Sequence, residues 1–259
     1  MKKYNQFVCL SGLPRSGSTL LSAILSQNPK IHAEGNSAVC QLMWDIQQSG
    51  CKEQIKANNR EQTMIDLISS VPQIYYSNID SKESIIVDKC RSWTLPNNIE
   101  LLTKYIDSDF KIIVLERPIL EIVNSFAKLY KKNNIEKDFT YYLNINSEPI
   151  MRSLNGVLYA KQQSLLKKDS FLFIKYNDLI QNTKQTIQKI YDFCGWDYFE
   201  HNFLNIVPKY KENDYEYNLV GFHDVHPTIR GNDNTIILPL ELVEKCKHID
   251  SIIDNLVKV

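Results

Sequence analysis

Four short apolar runs, at residues 7–10, 84–87, 111–115 and 171–174, are rich in β-branched side chains, and each leads through a polar or turn residue into a helical pattern. Runs that are apolar at successive positions belong to strands covered on both faces, as in parallel sheets. Helical periodicity fills the intervals, at about 18–28, 37–48, 61–77, 97–106, 118–132, 150–167 and 179–194. A last helix is expected at about 239–257, where Leu242, Val243, Cys246, Ile249, Ile253 and Leu256 recur at helical spacing. This alternation predicts an α/β fold, a three-layer sandwich with a central parallel sheet flanked by helices. No repeat or low-complexity linker divides residues 1–259, so one domain is expected.

The stretch 208–239 is the longest without periodicity, and a loop of that length in a compact domain is either disordered or functional. It carries His223, His226 and Arg230. The two histidines are three apart, but Pro227 breaks any helix there and no Cys lies nearby, so no metal site is expected.

Thirty basic and thirty acidic side chains cancel, which excludes the strong positive field of a nucleic-acid coat or an anionic-membrane binder. No apolar run is long enough to span a membrane, and the five-residue run after Met1-Lys2-Lys3 is too short for a signal peptide, so a cytoplasmic protein is expected. The six cysteines are scattered without a CxxC pair and read as free thiols. Among the basic residues only Arg15, Arg60, Arg91, Arg117, Arg152 and Arg230 are arginine. A chain that otherwise uses Lys keeps Arg where planar, multidentate recognition of an oxyanion is needed.

The sharpest motif is Ser11-Gly12-Leu13-Pro14-Arg15-Ser16-Gly17-Ser18-Thr19, between the first strand and a helix. Gly12 and Gly17 have the spacing of a phosphate-binding loop, whose backbone amides wrap an anion at a helix N-terminus, so the sandwich is expected to be of the P-loop type. The position that holds lysine in nucleoside triphosphate loops is Ser18, and Arg15 supplies the positive charge instead. That exchange disfavours a triphosphate with magnesium and suits an anion of lower charge. A second site is expected where Arg117 ends the third run, ahead of a helix opened by Pro118. On that helix Ile119, Ile122, Val123, Phe126 and Tyr130 form the core stripe, and Ser125 falls off it, free to meet a ligand beside Arg117.

Together these motifs resemble the sulfotransferases that use 3′-phosphoadenosine 5′-phosphosulfate (PAPS), most closely the bacterial members and the tyrosylprotein branch. Pro14 to Leu21 is similar to their 5′-phosphosulfate loop, and Arg117 with Ser125 to their 3′-phosphate pair. Val87-Asp88-Lys89-Cys90-Arg91 resembles the basic segment before the second anion strand. Ile174 to Leu179 resembles the segment whose tyrosine lines the nucleotide site, and Thr228 to Asp233 the late closing loop. The resemblance implies that Arg15, Ser16, Gly17, Ser18 and Thr19 hold the 5′ end of PAPS, that Arg117 and Ser125 hold the 3′-phosphate, and that Tyr176 and Arg230 complete the pocket.

It also implies in-line transfer of a sulfuryl group to a hydroxyl or amine of a small-molecule, carbohydrate or peptide acceptor, without a metal. Arg15 and Lys89 or Arg91 would stabilise the departing oxygen. The general base is expected in Ile31 to Ser37, where the tyrosylprotein branch carries its acid. The strict position is Asn36, leaving Glu34 and His32 as candidates. Two other readings compete: a P-loop kinase using ATP and magnesium, with Asp88 as its acid, and a non-catalytic nucleotide-binding module.

Overall fold

The computed structural model describes residues 4–50, 52–229, 231 and 236–256. Five parallel strands, β1 (Gln6–Gly12), β2 (Ile31–His32), β3 (Ile85–Lys89), β4 (Lys111–Glu116) and β5 (Phe171–Lys175), form one sheet in the order β2-β3-β1-β4-β5. The register sets Val8 against Val87 on one side and Lys111 on the other, and Ile112 against Phe171. The helices are α1 (Ser18–Leu25), α2 (Val39–Gly50), α3 (Glu53–Ala57), α4 (Glu61–Tyr75), α5 (Pro96–Leu101), α6 (Ile119–Lys132), α7 (Met151–Ser164), α8 (Tyr176–Gln181), α9 (Thr183–Cys194) and α10 (Leu240–Leu256).

Alternation along the strands divides the core into two layers. Phe7, Cys9, Ile86, Ile112 and Val114 pack with α2, α4, α5, α6, α7 and α10; Val8, Leu10, Val87, Ile113, Leu115 and Ile174 pack with α1, α8 and α9. Each fully buried Leu, Ile or Val contributes about 1.5–3 kcal/mol. The sandwich therefore follows from apolar residues on both strand faces. The described cysteines are free, with Cys9, Cys40, Cys194 and Cys246 buried and Cys90 half-buried.

Departures from the expected elements have local causes. β2 has two residues, too few to show a period, and the short α3 buries none of its own. The helix expected at 179–194 is broken at Asn182, whose φ of −126° and ψ of 43° are not helical. There the Thr183 and Thr186 hydroxyls donate to the carbonyls of Leu179 and Asp178, local bonds that compete with a continuous ladder. The helix expected at 97–106 begins at Pro96 and ends in a π-helical turn, Leu102–Ile106.

β1 lies between β3 and β4, at the point where the strand order reverses. Ligands of open α/β sheets bind at the carboxyl ends of strands beside such a point. Gly12, where β1 ends, has φ +125°, and a Cβ there would lie 2.1 Å from the carbonyl oxygen of Leu115 on β4. Glycine is required because the two backbones meet.

Candidate functional site

The loop after β1 and the start of α1 form the floor. Gly17, at φ +92°, caps α1 and abuts the Tyr176 ring, while Arg15 adopts φ 57°, a left-handed conformation rare outside glycine. The buried Ser16 hydroxyl donates to the Leu13 carbonyl and so braces the loop. Ser18 and Thr19 lie in the first turn of α1 and line the site.

β4 delivers Arg117. Its guanidinium is buried over the Tyr176 ring, with the central carbon 3.9 Å from the ring centroid. Nε donates to Glu121 at 3.0 Å and Nη1 to the Arg15 carbonyl at 2.6 Å, while Nη2 is buried with no hydrogen-bond partner. Ser125, in the second turn of α6, accepts from Arg15 Nε at 3.1 Å, so the expected neighbour of Arg117 is tied to Arg15. Burial and the nearby Arg117 cation press Arg15 below the ordinary guanidinium range. Among the described residues no carboxylate lies within salt-bridge distance of Arg15. Of the two adjoining guanidinium groups only that of Arg117 has a salt-bridge partner among these residues, Glu121, with Asp214 and Asp224 acting on Arg15 from further off, and Nη2 of Arg117 is an unused donor, as an anion site requires.

β3 delivers Lys89, whose buried ammonium lies 3.5 Å from Thr19 Oγ1 and donates to Glu212 Oε1 at 2.6 Å. Burial lowers the Lys89 pKa; burial also acts upward on Glu212, but the Lys89 charge outweighs it and holds that carboxyl below its usual value. Arg91, in the turn after β3, is exposed and lines the same space. Asp88 points to the opposite face of β3. It is fully buried and accepts from Trp93 Nε1 at 2.6 Å and Tyr76 OH at 2.8 Å, and burial raises its pKa. With both oxygens engaged in the core, Asp88 is not the magnesium-facing acid that the kinase reading requires.

β2 delivers His32, and the irregular chain after it delivers Glu34. His32 Nδ1 contacts Glu83 Oε2 at 2.7 Å and Tyr210 OH at 3.1 Å, and Nε2 lies 3.3 Å from Glu34 Oε2. Burial acts downward on His32, but the two carboxylates outweigh it and raise its pKa. Lys209 and Tyr210 also donate to the buried Glu83, which pins the late loop to the sheet edge.

The described part of 208–239 wraps the site, with a 3₁₀ turn at Asp214–Tyr217. It brings in Glu212, Asp214 and His223, none of them singled out as a site residue by the sequence apart from the discounted metal reading of His223. No periodicity or motif marks them, because they come from irregular backbone. His223 Nδ1 contacts Asp214 Oδ1 at 2.7 Å, and Nε2 faces Glu212 Oε2 at 3.4 Å. Asn36 Nδ2 donates to Glu212 Oε2 at 3.0 Å. Arg230 lies outside the described residues. Among those described, no group of three or more His, Cys, Asp or Glu is arranged to hold a metal ion.

Two cavities result. The larger, about 580 Å³, is lined by the β1 loop, Lys89, Arg91, Arg117, Ser125 and Tyr176. The smaller, about 310 Å³, is lined by Glu34, Gly35, Lys209, Tyr210, Lys211 and Glu212. Thr19, Lys89, His223, Asp224 and Val225 border both.

Residues 8–200 match the family model described as "Sulfotransferase family". Comparison by sequence with curated proteins gives no match. Among solved structures the fold is similar to a sulfotransferase from Alicyclobacillus acidocaldarius, at TM-score 0.57 and 13% identity, covering 98% of this chain and 94% of that one. It is also similar to the sulfotransferase domain from the curacin biosynthetic pathway, at TM-score 0.55 and 20% identity, covering 97% of each chain. At these identities the likeness concerns the fold. No helix among the described residues is long and apolar enough to cross a membrane.

Proposed function

The chain belongs to the sulfotransferase family, and we propose that it is a cytoplasmic enzyme that moves a sulfuryl group from PAPS to a hydroxyl or amine acceptor by in-line displacement. The observation that carries the choice of donor is the buried, unpartnered Nη2 of Arg117 beside Arg15, in the cavity that also holds the β1 loop. An anion with two separated charged ends satisfies both. The loop amides with Arg15, Ser18 and Thr19 would take the 5′ end, Arg117 and Ser125 the 3′-phosphate, and Tyr176 and Arg230 the rest of the nucleotide. Ser16 and Gly17 hold the loop in shape.

PAPS supplies an activated sulfuryl group, so the chain needs no metal to make the transferred group electrophilic. Arg15 and Lys89 supply fixed positive charge where the departing phosphate oxygen gains electrons, and losing one such donor costs about 100- to 1000-fold in rate. The smaller cavity would admit a small molecule, a carbohydrate unit or a peptide side chain. Glu34 on its wall is a polar contact for that acceptor.

Thermal unfolding tests the donor reading. Adenosine 3′,5′-bisphosphate in EDTA stabilises the protein, by about 2.7 kcal/mol at 100 times Kd. Stabilisation by ATP with magnesium alone, abolished by EDTA, supports the kinase reading instead. Transfer from labelled PAPS to a panel of phenols, sugars and tyrosine peptides distinguishes an enzyme from a binding module, and Arg15→Ala abolishes it.

A further inference from the structure

The position of His223, on the wall common to both cavities, identifies a chemical role that neither the family match nor the sequence assigns. Resting on the sulfotransferase reading, we propose that Nε2 of His223 is the general base that takes the acceptor's proton, with Asp214 as its positioning residue and Glu212 as the carboxylate that stabilises the imidazolium formed.

Three geometric facts support this. First, Asp214 fixes the ring: Oδ1 meets Nδ1 at 2.7 Å while Oδ2 accepts the His223 backbone N–H at 3.1 Å, so one carboxylate holds both backbone and imidazole. A carboxylate on Nδ1 selects the tautomer with its proton there and leaves a lone pair on Nε2. Second, His223 lines both cavities, alongside Lys89 and Thr19. A base for transfer between two substrates is needed where their sites meet. Third, Asn36 Nδ2 lies 3.5 Å and Glu212 Oε2 3.4 Å from Nε2, so the neutral nitrogen has an amide donor beside it and the imidazolium formed lies between two carboxylates.

The other groups are less suited. Glu212 has both oxygens engaged, by Lys89 and Asn36, and is held at low pKa. His32 lines neither cavity, and its raised pKa favours the protonated form without a lone pair. Glu34 borders only the smaller cavity. His223 has its pKa lowered by burial, against the opposing pull of Glu212 and Asp214, which favours the neutral ring. In the transfer, the acceptor O–H proton passes to Nε2, the acceptor oxygen forms the new S–O bond, and the bond from sulfur to the donor's phosphate oxygen breaks with its electron pair left on that oxygen.

The test compares acceptors that arrive with and without a proton. With PAPS at about pH 8, phenol carries its proton, 4-nitrophenol is mostly ionised, and water is always present as a third acceptor. His223→Gln lowers transfer to phenol and sulfate release into water by about 100-fold or more, and lowers transfer to 4-nitrophenolate by less than about 5-fold. Asp214→Asn reproduces the pattern more weakly. Independently of turnover, nitrogen NMR of the imidazoles, assigned by loss of one signal in His223→Gln, shows the His223 proton on Nδ1 in the wild type and a mixture in Asp214→Asn. Equal losses with phenol and 4-nitrophenolate, or a wild-type proton on Nε2, overturns the proposal. Stabilisation by adenosine 3′,5′-bisphosphate, measured on wild type and His223→Gln, separates the two readings. If it is kept while the acceptors lose equally, the base assignment alone falls; if neither protein is stabilised, the donor reading falls.

Discussion

Arg117 divides one guanidinium among a carboxylate, a carbonyl and a nitrogen with no partner. The first two contacts fix the plane, so the third presents a donor that has already lost its water. Filling it with a phosphate oxygen makes a charge-assisted bond worth about 1.5–3 kcal/mol. Arg117→Ala therefore weakens adenosine 3′,5′-bisphosphate binding by roughly 10- to 100-fold, while AMP, which lacks the 3′-phosphate, loses much less; calorimetry on both nucleotides checks this. Arg117→Lys keeps the charge but not the fork, and recovers only part of the loss. Arg15 and Arg117 stand out in the sequence because arginine is scarce, Arg15 lying in the glycine loop after one apolar run and Arg117 at the end of another. The tie between Ser125 and Arg15 was not, because helical periodicity gives a residue's face and not its partner across the cavity. The pairing of Asp214 with His223 escaped for a different reason: they lie nine positions apart in a stretch without periodicity, and only the folded loop brings their side chains together.

The elements that hold these residues are joined at two points of different chemistry. Where β1 meets β4 the joint is steric: Gly12→Ala puts a methyl into the Leu115 carbonyl, at a φ that L-residues rarely adopt, and costs about 3 kcal/mol or more. Chemical denaturation reads this directly. Where the late loop meets the sheet edge the joint is ionic, through Glu83, His32, Lys209 and Tyr210. Glu83→Gln weakens the acceptors for Lys209 and His32 and costs about 2–3 kcal/mol, measured by the same method. The pH dependence has two limbs. His32 is raised above its ordinary 6.5, so its contribution is complete below that value and is lost as pH climbs through the raised one. For Glu83, burial acts upward but Lys209, Tyr210 and His32 outweigh it, so its contribution holds above the ordinary 4.5 and fades as pH falls through the lowered value. The stability difference between wild type and His32→Gln therefore shrinks as pH rises above 6.5 through the raised value, and the protection factors of the backbone amides of 206–212 fall over the same range.

At the scale of the molecule, a net charge of zero coexists with a cavity whose floor holds Arg15, Lys89 and Arg117. The sandwich reconciles them: apolar runs covered on both faces place their polar ends in one crevice, where Glu212 and Glu121 pair with Lys89 and Arg117 while Arg15 has no salt-bridge partner among the described residues. That architecture was legible because it depends on the repeated pattern of apolar runs. β2 and the break at Asn182 depend on one or two residues and left no pattern. The positive field is thus local, and ligand binding distinguishes it from the diffuse field of a basic protein. Raising sodium chloride from about 0.05 to about 0.5 M shrinks the screening length from about 14 Å to about 4 Å. Partly buried contacts at Arg117 are screened little, while the approach of a multiply charged nucleotide from solvent is screened strongly. Adenosine 3′,5′-bisphosphate should therefore lose association rate several-fold across that range with a much smaller change in dissociation rate. Stopped-flow measurement decides it: a salt effect that falls mainly on dissociation means that the guanidinium groups meet the ligand at an open, solvated surface instead of in the buried crevice.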